Sequence, residues 1–326
     1  MRLIPHPVLC NYYLTYRCNA RCSFCDIWER PSPFVRPEDV LQNLHDLRRL
    51  GVKVIDFTGG EPLLHPQIPD FLREAKNLGF ITTLTTNAMR YLRMAHSLQG
   101  QVDMLHFSLD AADAHTHDTL RGVPCFDSVM ESIAVARSLG ERPDILFTVS
   151  DQNMDELPRV WEEICLPNDL ILIINPIFDY NQIDNGGGLS VQNLDHLRSW
   201  AWRKRVYLNT AFLDLRQRGG NRRSDPVCKA GSSTVVISPQ NALVLPCYHA
   251  GLEEIPIEGK LYDLHRSAKV QRLIAQEGRM PACEGCAINC YMQPSFAVEM
   301  NRYWWLALPS TLRYNFMKGT WRKLKI

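Results

Sequence analysis

Three cysteines lie within eight residues near the start of the chain, in the stretch CNARCSFC at 18–25. Cys18, Cys22 and Cys25 supply thiolates, which are soft ligands that select zinc or iron–sulfur clusters. A structural zinc ion takes four protein ligands, and the first imidazole that follows the trio, His45, falls within a predicted helix. Three cysteines on a four-iron cluster leave one iron open to a substrate or cofactor. The trio therefore favours an open iron–sulfur site, with zinc completed by a distant ligand as the alternative.

A second group of cysteines lies in the last third of the chain. Its members are Cys228, Cys247, Cys283, Cys286 and Cys290. The first two flank a predicted hairpin, and the next two form a CxxC pair. Four of these thiolates are enough for a closed site. A zinc ribbon is the alternative, although such ribbons have two CxxC-like knuckles and the first pair here is widely spaced.

Composition excludes several classes of protein. The chain has 326 residues, 11 cysteines and a net charge of +1. An odd number of cysteines argues against a complete disulfide framework, and clustered cysteines in a reducing compartment indicate metal binding or catalysis. The near-neutral charge gives no reason to expect nucleic acid as a partner. The sequence has no run of ~20 apolar residues and no signal peptide, so we predict a cytoplasmic protein.

Alternating strand-like and helix-like segments must position the first cysteines. The predicted strands are 8–16, 53–59, 81–87, 103–110, 144–150 and 170–178. Helical patterns separate most of them, for example Pro37 to Leu50, which opens with proline and acids and is followed by Gly51. Strands joined by crossovers form parallel β/α units with a right-handed connection. We predict an α/β fold with an incomplete (β/α)6 TIM-type barrel, in which chemistry belongs at the carboxyl ends of the strands.

The pattern changes after the sixth strand. A glycine-rich connector at 184–188 and a polar, basic linker at 216–226 follow it. TVVISP and ALVLPC then read as a hairpin, and the tail is aromatic and basic without acidic residues. We predict a barrel domain at 1–215, an auxiliary-cluster domain at 216–300 and a C-terminal tail at 301–326.

The first cluster resembles the signature of the radical S-adenosylmethionine (SAM) enzymes. Cys18-x3-Cys22-x2-Cys25, with Phe24 in the aromatic position, is similar to their motif. The resemblance implies a [4Fe-4S] cluster on three cysteines and SAM on the fourth iron. It also implies reductive cleavage of SAM to methionine and a 5′-deoxyadenosyl radical that abstracts hydrogen from a substrate. The family has the incomplete barrel predicted above.

Further motifs extend the resemblance over residues 8–180. GGEP ends the second predicted strand as in the family, where it binds the amino group of SAM, and polar residues end the later strands. The implied SAM-binding residues are Phe24, Gly59, Gly60, Glu61, Pro62, Asn87, Ser108, Asp110, Thr148 and Asn175. Arg121 follows the fourth strand. It is interpreted as a solvated charge, with a carboxylate partner as the alternative.

The second cysteine group resembles the SPASM and twitch extensions of radical SAM enzymes. In those extensions, cysteines on either side of a hairpin and a later CxxC hold auxiliary [4Fe-4S] clusters. Five cysteines imply one auxiliary cluster here. We expect Cys228, Cys247, Cys283 and Cys286 as ligands, with Cys290 as the alternative to one of the last pair. The cluster is expected to assist electron transfer.

The substrate is the least specified part of the function. Asp179 and Tyr180 follow the sixth strand and are the predicted catalytic residues. Only about seven residues precede the first strand, so no leader-binding domain is expected, which weakens a peptide maturase. We expect a small-molecule, lipid-like or peptide substrate and an electron donor such as flavodoxin or ferredoxin. CxxCxxxC followed by PSFAV is also similar to the end of the adenosylhopene synthases, which makes adenosyl transfer to a lipid-like substrate an alternative.

The tail and the cysteines leave two further interpretations open. Packing across the barrel is the structural interpretation of the tail, and peripheral membrane contact is the functional one. A non-enzymatic iron–sulfur or zinc scaffold is the competing class of function for the whole chain.

Overall fold

Ten strands form one continuous sheet in the computed structural model, which describes residues 2–178, 188–249 and 251–320. The strands are Leu9–Tyr13 (β1), Val54–Thr58 (β2), Ile81–Thr86 (β3), Met104–Ser108 (β4), Asp144–Val149 (β5), Leu172–Pro176 (β6), Val206–Tyr207 (β7), Thr234–Ile237 (β8), Ala242–Leu245 (β9) and Glu253–Pro256 (β10). Their order is β10-β9-β8-β1-β2-β3-β4-β5-β6-β7. All pairs from β8 through β1 to β7 are parallel. This arrangement confirms the predicted α/β class and its barrel-like parallel core.

Helices connect and cover the strands. They are Pro37–Leu50 (α1), Ile68–Asn77 (α2), Tyr91–Leu98 (α3), Ala114–Arg121 (α4), Phe126–Ser138 (α5), Glu156–Arg159 (α6), Val191–Leu197 (α7), Thr210–Gln217 (α8), Ala230–Ser233 (α9), Leu261–Arg266 (α10), Ala268–Ile274 (α11), Asn289–Val298 (α12) and Arg302–Lys318 (α13). A π-helical turn, Val160–Cys165, continues α6.

Local sequence explains why α1 begins and ends where it does. Pro37 lacks an N–H group, which costs nothing at the first position of a helix because no intrahelical acceptor exists there. Acidic residues in the first turn interact favourably with the helix dipole. Gly51 ends the helix with a φ of +92°, a conformation that costs glycine little. Between these ends, Val40, Leu44 and Leu47 lie on one face and are fully buried in the main core. The same core receives the apolar side chains of β1–β6.

The hairpin β8–β9 extends the barrel sheet, although the sequence predicted it within a separate small domain. Leu9 of β1 pairs with Thr234 of β8, and Tyr12 pairs with Ile237. Without β8, β1 would be an edge strand with unpaired backbone groups. This pairing joins positions more than 200 residues apart, so no local pattern could have predicted it.

The segment interpreted as a polar linker, 216–226, is not a simple solvated connector. Its Asn221 is fully buried and hydrogen-bonds through its main chain to Gly285 and Cys286. The side-chain amide of Asn221 also donates to the carbonyls of Gly278 and Cys283, and its Oδ1 accepts from the main-chain amide of Cys228 at 3.1 Å. One asparagine therefore holds together the backbone around three of the later cysteines.

The C-terminal helix α13 packs across the amino-terminal end of the barrel. Tyr314 and Met317 contact Ile171 and Ile173 in a small apolar cluster. The hydroxyl of Tyr314 donates to Asp144 at 2.7 Å, at the start of β5. These contacts agree with the packing interpretation for the described part of the tail. No helix among the described residues is long and apolar enough to cross a membrane.

Candidate active site

The first cysteine loop follows β1 and is held by main-chain hydrogen bonds to two other loops. Amides of the GGEP loop bond to carbonyls of Thr15 and Arg17, at 2.9 Å each. On its other side, the amides of Arg21 and Ser23 bond to carbonyls at the end of α4 at 2.9 and 3.0 Å. The loop is therefore fixed between the ends of β2 and α4, whichever group its thiols bind.

Glycines make this close approach possible. A Cβ at Gly60 would lie 2.3 Å from the carbonyl oxygen of Arg17, and one at Gly122 would lie 2.3 Å from that of Arg21. Gly122 also ends α4 with a φ of +67°. The sequence assigned the glycines of GGEP to close contact with a ligand; they line the cavity and also accommodate the backbone of the cysteine loop.

Glu61 joins the same loop to the end of β3. It is only 1% exposed, and its carboxylate accepts from the amide of Leu63, the hydroxyl of Thr86 and the amide of Asn87 at 2.8–2.9 Å. Burial raises the pKa of Glu61 to about 7, although these hydrogen bonds oppose the shift. Because each carboxylate oxygen has two lone pairs, Glu61 can accept one more hydrogen bond from a group in the cavity.

Arg121 contradicts the interpretation of this residue as a solvated charge. It is 7% exposed, and its Nη2 lies 2.6 Å from Oδ2 of Asp110. Its Nη1 lies 3.7 Å from Sγ of Cys22, and its guanidinium lies 5.5 Å from the ring centroid of Phe24. Burial alone would lower the pKa of Arg121, but the neighbouring Asp110 and Cys22 raise it above its usual value. The guanidinium is a fixed positive charge beside the cysteine loop.

The three thiols of the loop face a cavity of about 340 Å³, which we call the first cavity. Burial raises the pKa of Cys18 to about 12 and that of Cys25 to about 11. Without a metal these thiols keep their protons, so binding of a soft cation must displace them. The Nδ2 of Asn87 lies 3.9 Å from Sγ of Cys18 and is a second donor directed at this sulfur set. Three sulfur ligands with N–H groups beside them fit a thiolate-bound cluster.

The first cavity brings together most of the residues implied by the resemblance, but not all. Those that line it are Cys18, Cys22, Phe24, Cys25, Gly59, Gly60, Glu61, Asn87 and Ser108. Pro62, Asp110, Thr148 and Asn175 do not line it.

Each of these four has another position. Pro62 is buried at the start of a 3-10 turn, and Asn175 hydrogen-bonds to Asn289. The Thr148 amide donates to Asp110 at 2.8 Å. Asp110 is fully buried behind Arg121, so it positions a cavity residue instead of facing the cavity. Asp179 and Tyr180 lie outside the described residues.

Polar residues on the inner faces of the strands line the same cavity and were missed by sequence reasoning. Asn11, Asp56 and Thr85 contribute one side chain each from β1, β2 and β3. Asp56 accepts from the hydroxyl of Thr83 at 2.7 Å, and burial raises its pKa to about 6. The available signal was an acid at the centre of KVIDFTG, an otherwise apolar strand.

The later cysteines divide between two cavities. Cys228, Cys247, Cys283 and Cys286 line a second cavity of about 380 Å³. Cys290, by contrast, lines the first cavity, where its Sγ lies 3.9 Å from Nε2 of His249. Phe178 and His249 line both cavities, so they form a shared wall.

His117, Asp118 and Cys125 also bring three ligand-type atoms within 4.8 Å of one another. Each already has a protein partner. Nδ1 of His117 accepts from the Asp110 amide at 3.1 Å, which leaves Nε2 to carry the proton beside Cys125 at 3.4 Å. Asp118 caps α5 by accepting from the amides of Cys125 and Phe126 at 2.9 Å. This group is a structural junction that positions Asp110 and α5.

Comparison with known proteins finds relatives of the barrel segment. Residues 12–164 match the radical SAM superfamily. This match covers just under half of the chain. Among curated relatives, a probable GTP 3′,8-cyclase of Saccharolobus solfataricus is 33% identical over 148 residues, which is 44% of this chain and 48% of that protein. An AdoMet-dependent heme synthase of Methanosarcina barkeri is 28% identical over 162 residues, which is 48% of this chain and 46% of that protein.

The matches to curated relatives cover less than half of this chain. The chain spans about half the length of the relatives it matches. The superfamily match and the names cyclase and synthase of these relatives indicate an enzyme. They do not identify its reaction.

Solved structures extend the likeness in fold beyond the barrel. SuiB of Streptococcus suis, bound to its precursor peptide SuiA, has a TM-score of 0.68 at 17% identity and matches 89% of this chain and 73% of that one. The AdoMet-bound anSMEcpe has a TM-score of 0.63 at 17% identity and matches 98% of this chain and 96% of that one. At these identities the likeness concerns the fold alone.

Proposed function

We propose that the chain binds a [4Fe-4S] cluster and SAM in the first cavity and that these groups, once reduced, supply a 5′-deoxyadenosyl radical that takes a hydrogen atom from a substrate. The observation that carries this proposal is the convergence of three thiols, the GGEP loop, Asn87 and Arg121 on one cavity. The match of residues 12–164 to the radical SAM superfamily supports it.

The residues of the first cavity have distinct proposed tasks. Cys18, Cys22 and Cys25 are the ligands of the cluster. Arg121 and Asn87 direct N–H groups toward the thiolate sulfurs and toward any carboxylate that shares the cavity, and such charge-assisted hydrogen bonds are the stronger class. Glu61 is the acceptor for an ammonium group, and Phe24 supplies an aromatic face.

Reconstitution tests the proposal directly. The protein is loaded with iron and sulfide without oxygen, reduced in the presence of SAM, and assayed for 5′-deoxyadenosine. We expect product from the wild type and from Cys165→Ala, whose thiol is buried in the core away from the cavity, and none from Cys22→Ala. Product from Cys22→Ala, or none from loaded wild type, would contradict the proposal.

We propose that the second cavity holds one auxiliary [4Fe-4S] cluster. Cys228, Cys247, Cys283 and Cys286 surround it, and four thiolates close the coordination of a cubane. A closed cluster favours transfer of electrons over direct binding of substrate. The position of Cys290 in the other cavity supports its exclusion from this ligand set.

Iron counting separates the two ligand sets. The intact protein should hold about eight iron atoms, four from each cubane. Cys286→Ser should lose about half of this iron, whereas Cys290→Ser should retain all of it. Equal losses in the two variants would mean that Cys290 is a ligand, and zinc without sulfide in the second site would favour a ribbon.

For the substrate, we propose a chemical class and not a single compound. Asn11, Asp56 and Thr85 give the first cavity a polar floor, and Tyr13, Tyr248 and Phe178 add aromatic walls. A small molecule or a peptide side chain with hydrogen-bond donors fits these residues better than a purely apolar chain. Asp179 and Tyr180 stay candidates for catalysis, and a flavodoxin or ferredoxin in the cytoplasm stays the proposed electron source.

A further inference from the structure

The outer face of α13 carries a row of exposed apolar side chains. Trp305, Leu312 and Phe316 are 60%, 61% and 75% exposed, and Pro309 between them is also exposed. Their spacing of four, three and four residues places them on one side of the helix. Most surface helices present polar residues to solvent, so this helix has the opposite pattern on its outer face.

The opposite face fixes the helix to the protein. Tyr303, Ala307, Ser310 and Tyr314 are all buried. Arg313 donates to the carbonyl of Ala201 at 2.7 Å and to that of Trp202 at 3.2 Å, and its guanidinium lies 5.6 Å from the Trp202 ring. Trp202 is 62% exposed, and Arg313 lies between it and the helix. We call these four exposed side chains the α13 face: Trp202, Trp305, Leu312 and Phe316.

Exposed apolar residues elsewhere in the described chain are more scattered. The other large ones are Leu3, Leu41, Val191, Leu252 and Met300. Each lies in a different segment, and isolated exposed apolar residues are normal for a folded protein. A row of exposed apolar side chains on one helix, with a further exposed tryptophan beside Arg313, is the kind of surface that binds another apolar phase or partner.

Positive charge borders the α13 face. Arg313 bonds to main-chain carbonyls, which leave its charge uncompensated, and Lys204 beside Trp202 is exposed. The sequence from 300 onward contains six lysines and arginines and no aspartate or glutamate. Two of the six, Arg302 and Lys318, pair with Asp214 and Asp144 inside the fold. Among the described residues, Arg313 and Lys204 therefore place positive charge beside the face.

This combination fits the surface of an anionic membrane. Tryptophan prefers the boundary between headgroups and hydrocarbon, and lysine and arginine interact with anionic headgroups. A second copy of the chain would instead bring equal positive charges together, which disfavours pairing through this face. We propose that the α13 face inserts its apolar side chains among the headgroups of an anionic bilayer while the rest of the helix stays packed on the barrel.

The contact is independent of the radical chemistry. Tyr314 holds α13 against the amino-terminal ends of the strands, whereas the first cavity opens at their carboxyl ends. The active-site mouth therefore stays accessible to substrate and to an electron donor when the protein is on a membrane.

Vesicle binding tests the proposal with the iron-loaded protein. We expect cosedimentation with vesicles of phosphatidylcholine plus phosphatidylglycerol, little with phosphatidylcholine alone, and weaker binding at high salt. Leu312→Ser with Phe316→Ser should lower the partition coefficient at least tenfold. Phe316→Trp should preserve it, and Leu41→Ser, an exposed control on α1, should leave it unchanged.

Controls on fold and oligomeric state complete the test. The double variant should retain SAM cleavage and its helical circular dichroism, which separates loss of binding from loss of structure. Absence of binding to the anionic vesicles, or an equal loss with Leu41→Ser, would overturn the proposal. A wild-type dimer that the double variant converts to a monomer would also overturn it, because the face would then be a subunit interface.

Discussion

Asp110 and Arg121 form a buried ion pair directly behind the first cysteine loop. Removal of either member of such a pair is destabilising, because the charge that remains lacks compensation in a medium of low polarity. The pair also determines where the guanidinium lies relative to Cys22. Asp110 thus acts on the cavity through Arg121, although it was predicted from sequence to contact SAM itself.

We predict that Asp110→Asn destabilises the protein by about 3 kcal/mol, the usual cost of breaking one side of a buried pair. It should also weaken retention of the first cluster, since Arg121 loses its anchor. Thermal unfolding and iron content, both measured without oxygen, check this. Asp113→Asn is the control, because Asp113 is a partly exposed cap of α4 whose ion pair with Arg159 is solvent-accessible, and asparagine caps helices equally well. Similar effects of the two substitutions would argue against the role of the pair.

Asp56 gives a prediction for pH dependence. Its pKa is raised to about 6 by burial, from ~3.9 in an unfolded chain. The folded state therefore binds this proton more tightly, and its contribution to stability is lost as pH rises from about 4 to about 6. Asp56→Asn removes this cost, so relative to wild type the variant should be more stable at pH 8 than at pH 5.

The expected difference between the two pH values is on the order of 1 kcal/mol. It is measured as the shift in unfolding midpoint of variant against wild type at each pH, so that titration of Glu61 cancels. Asp70→Asn, on the exposed face of α2, should show no such dependence. A larger stabilisation by Asp56→Asn at pH 5 than at pH 8 would contradict a raised pKa for Asp56.

At the scale of elements, the cysteine loop depends on its neighbours more than on its own sequence. Its main chain bonds to the GGEP loop on one side and to the end of α4 on the other. Gly122 permits the second contact, because a side chain there would strike the Arg21 carbonyl.

We predict that Gly122→Ala displaces the loop and lowers iron bound at the first site while the second site keeps its iron. Gly140→Ala is a matched control, since Gly140 has a φ of +80° but no atom lies within 4 Å of the position that a Cβ would take there. Both substitutions carry the same backbone strain of about 1 kcal/mol, so their difference isolates the steric contact. Equal iron content in the two variants would count against this explanation.

These elements show what the sequence can and cannot predict. The strands β2–β6 and helix α1 follow from periodicity, proline and glycine signals, and the cysteine spacing predicted which loop faces the cavity. The burial of Arg121 could not be predicted, because it depends on Asp110 and on Cys22, 99 positions away in the chain. The role of Asn221 also depends on contacts with distant backbone, and its polar neighbours suggested a linker instead.

At the scale of the whole molecule, α13 covers the amino-terminal end of the barrel. Asp144 accepts hydrogen bonds from Tyr314 at 2.7 Å and Lys318 at 2.9 Å, and His106 lies 3.6 Å away. This network connects the last helix to β4 and β5. Its loss would expose the apolar cluster of Ile171 and Ile173.

We predict that Tyr314→Phe lowers the stability of the whole chain by about 1.5–3 kcal/mol, the usual range for a hydrogen bond to a charged group. Tyr303→Phe should cost less, because its ring stacks on Phe296 outside the Asp144 network. Anaerobic thermal unfolding of the two variants measures the difference. An equally small effect of both would mean that α13 is held by apolar contacts alone.

The pairing of β1 with β8 has a consequence for synthesis of the chain. The strand that leads into the first cysteines is made first, yet one of its two neighbours is made only after residue 234. During translation β1 has one open edge for most of the time that the barrel is assembling, and such an edge recruits other strands. A nascent chain stopped before β8 should therefore aggregate even though it contains every residue of the first cysteine motif.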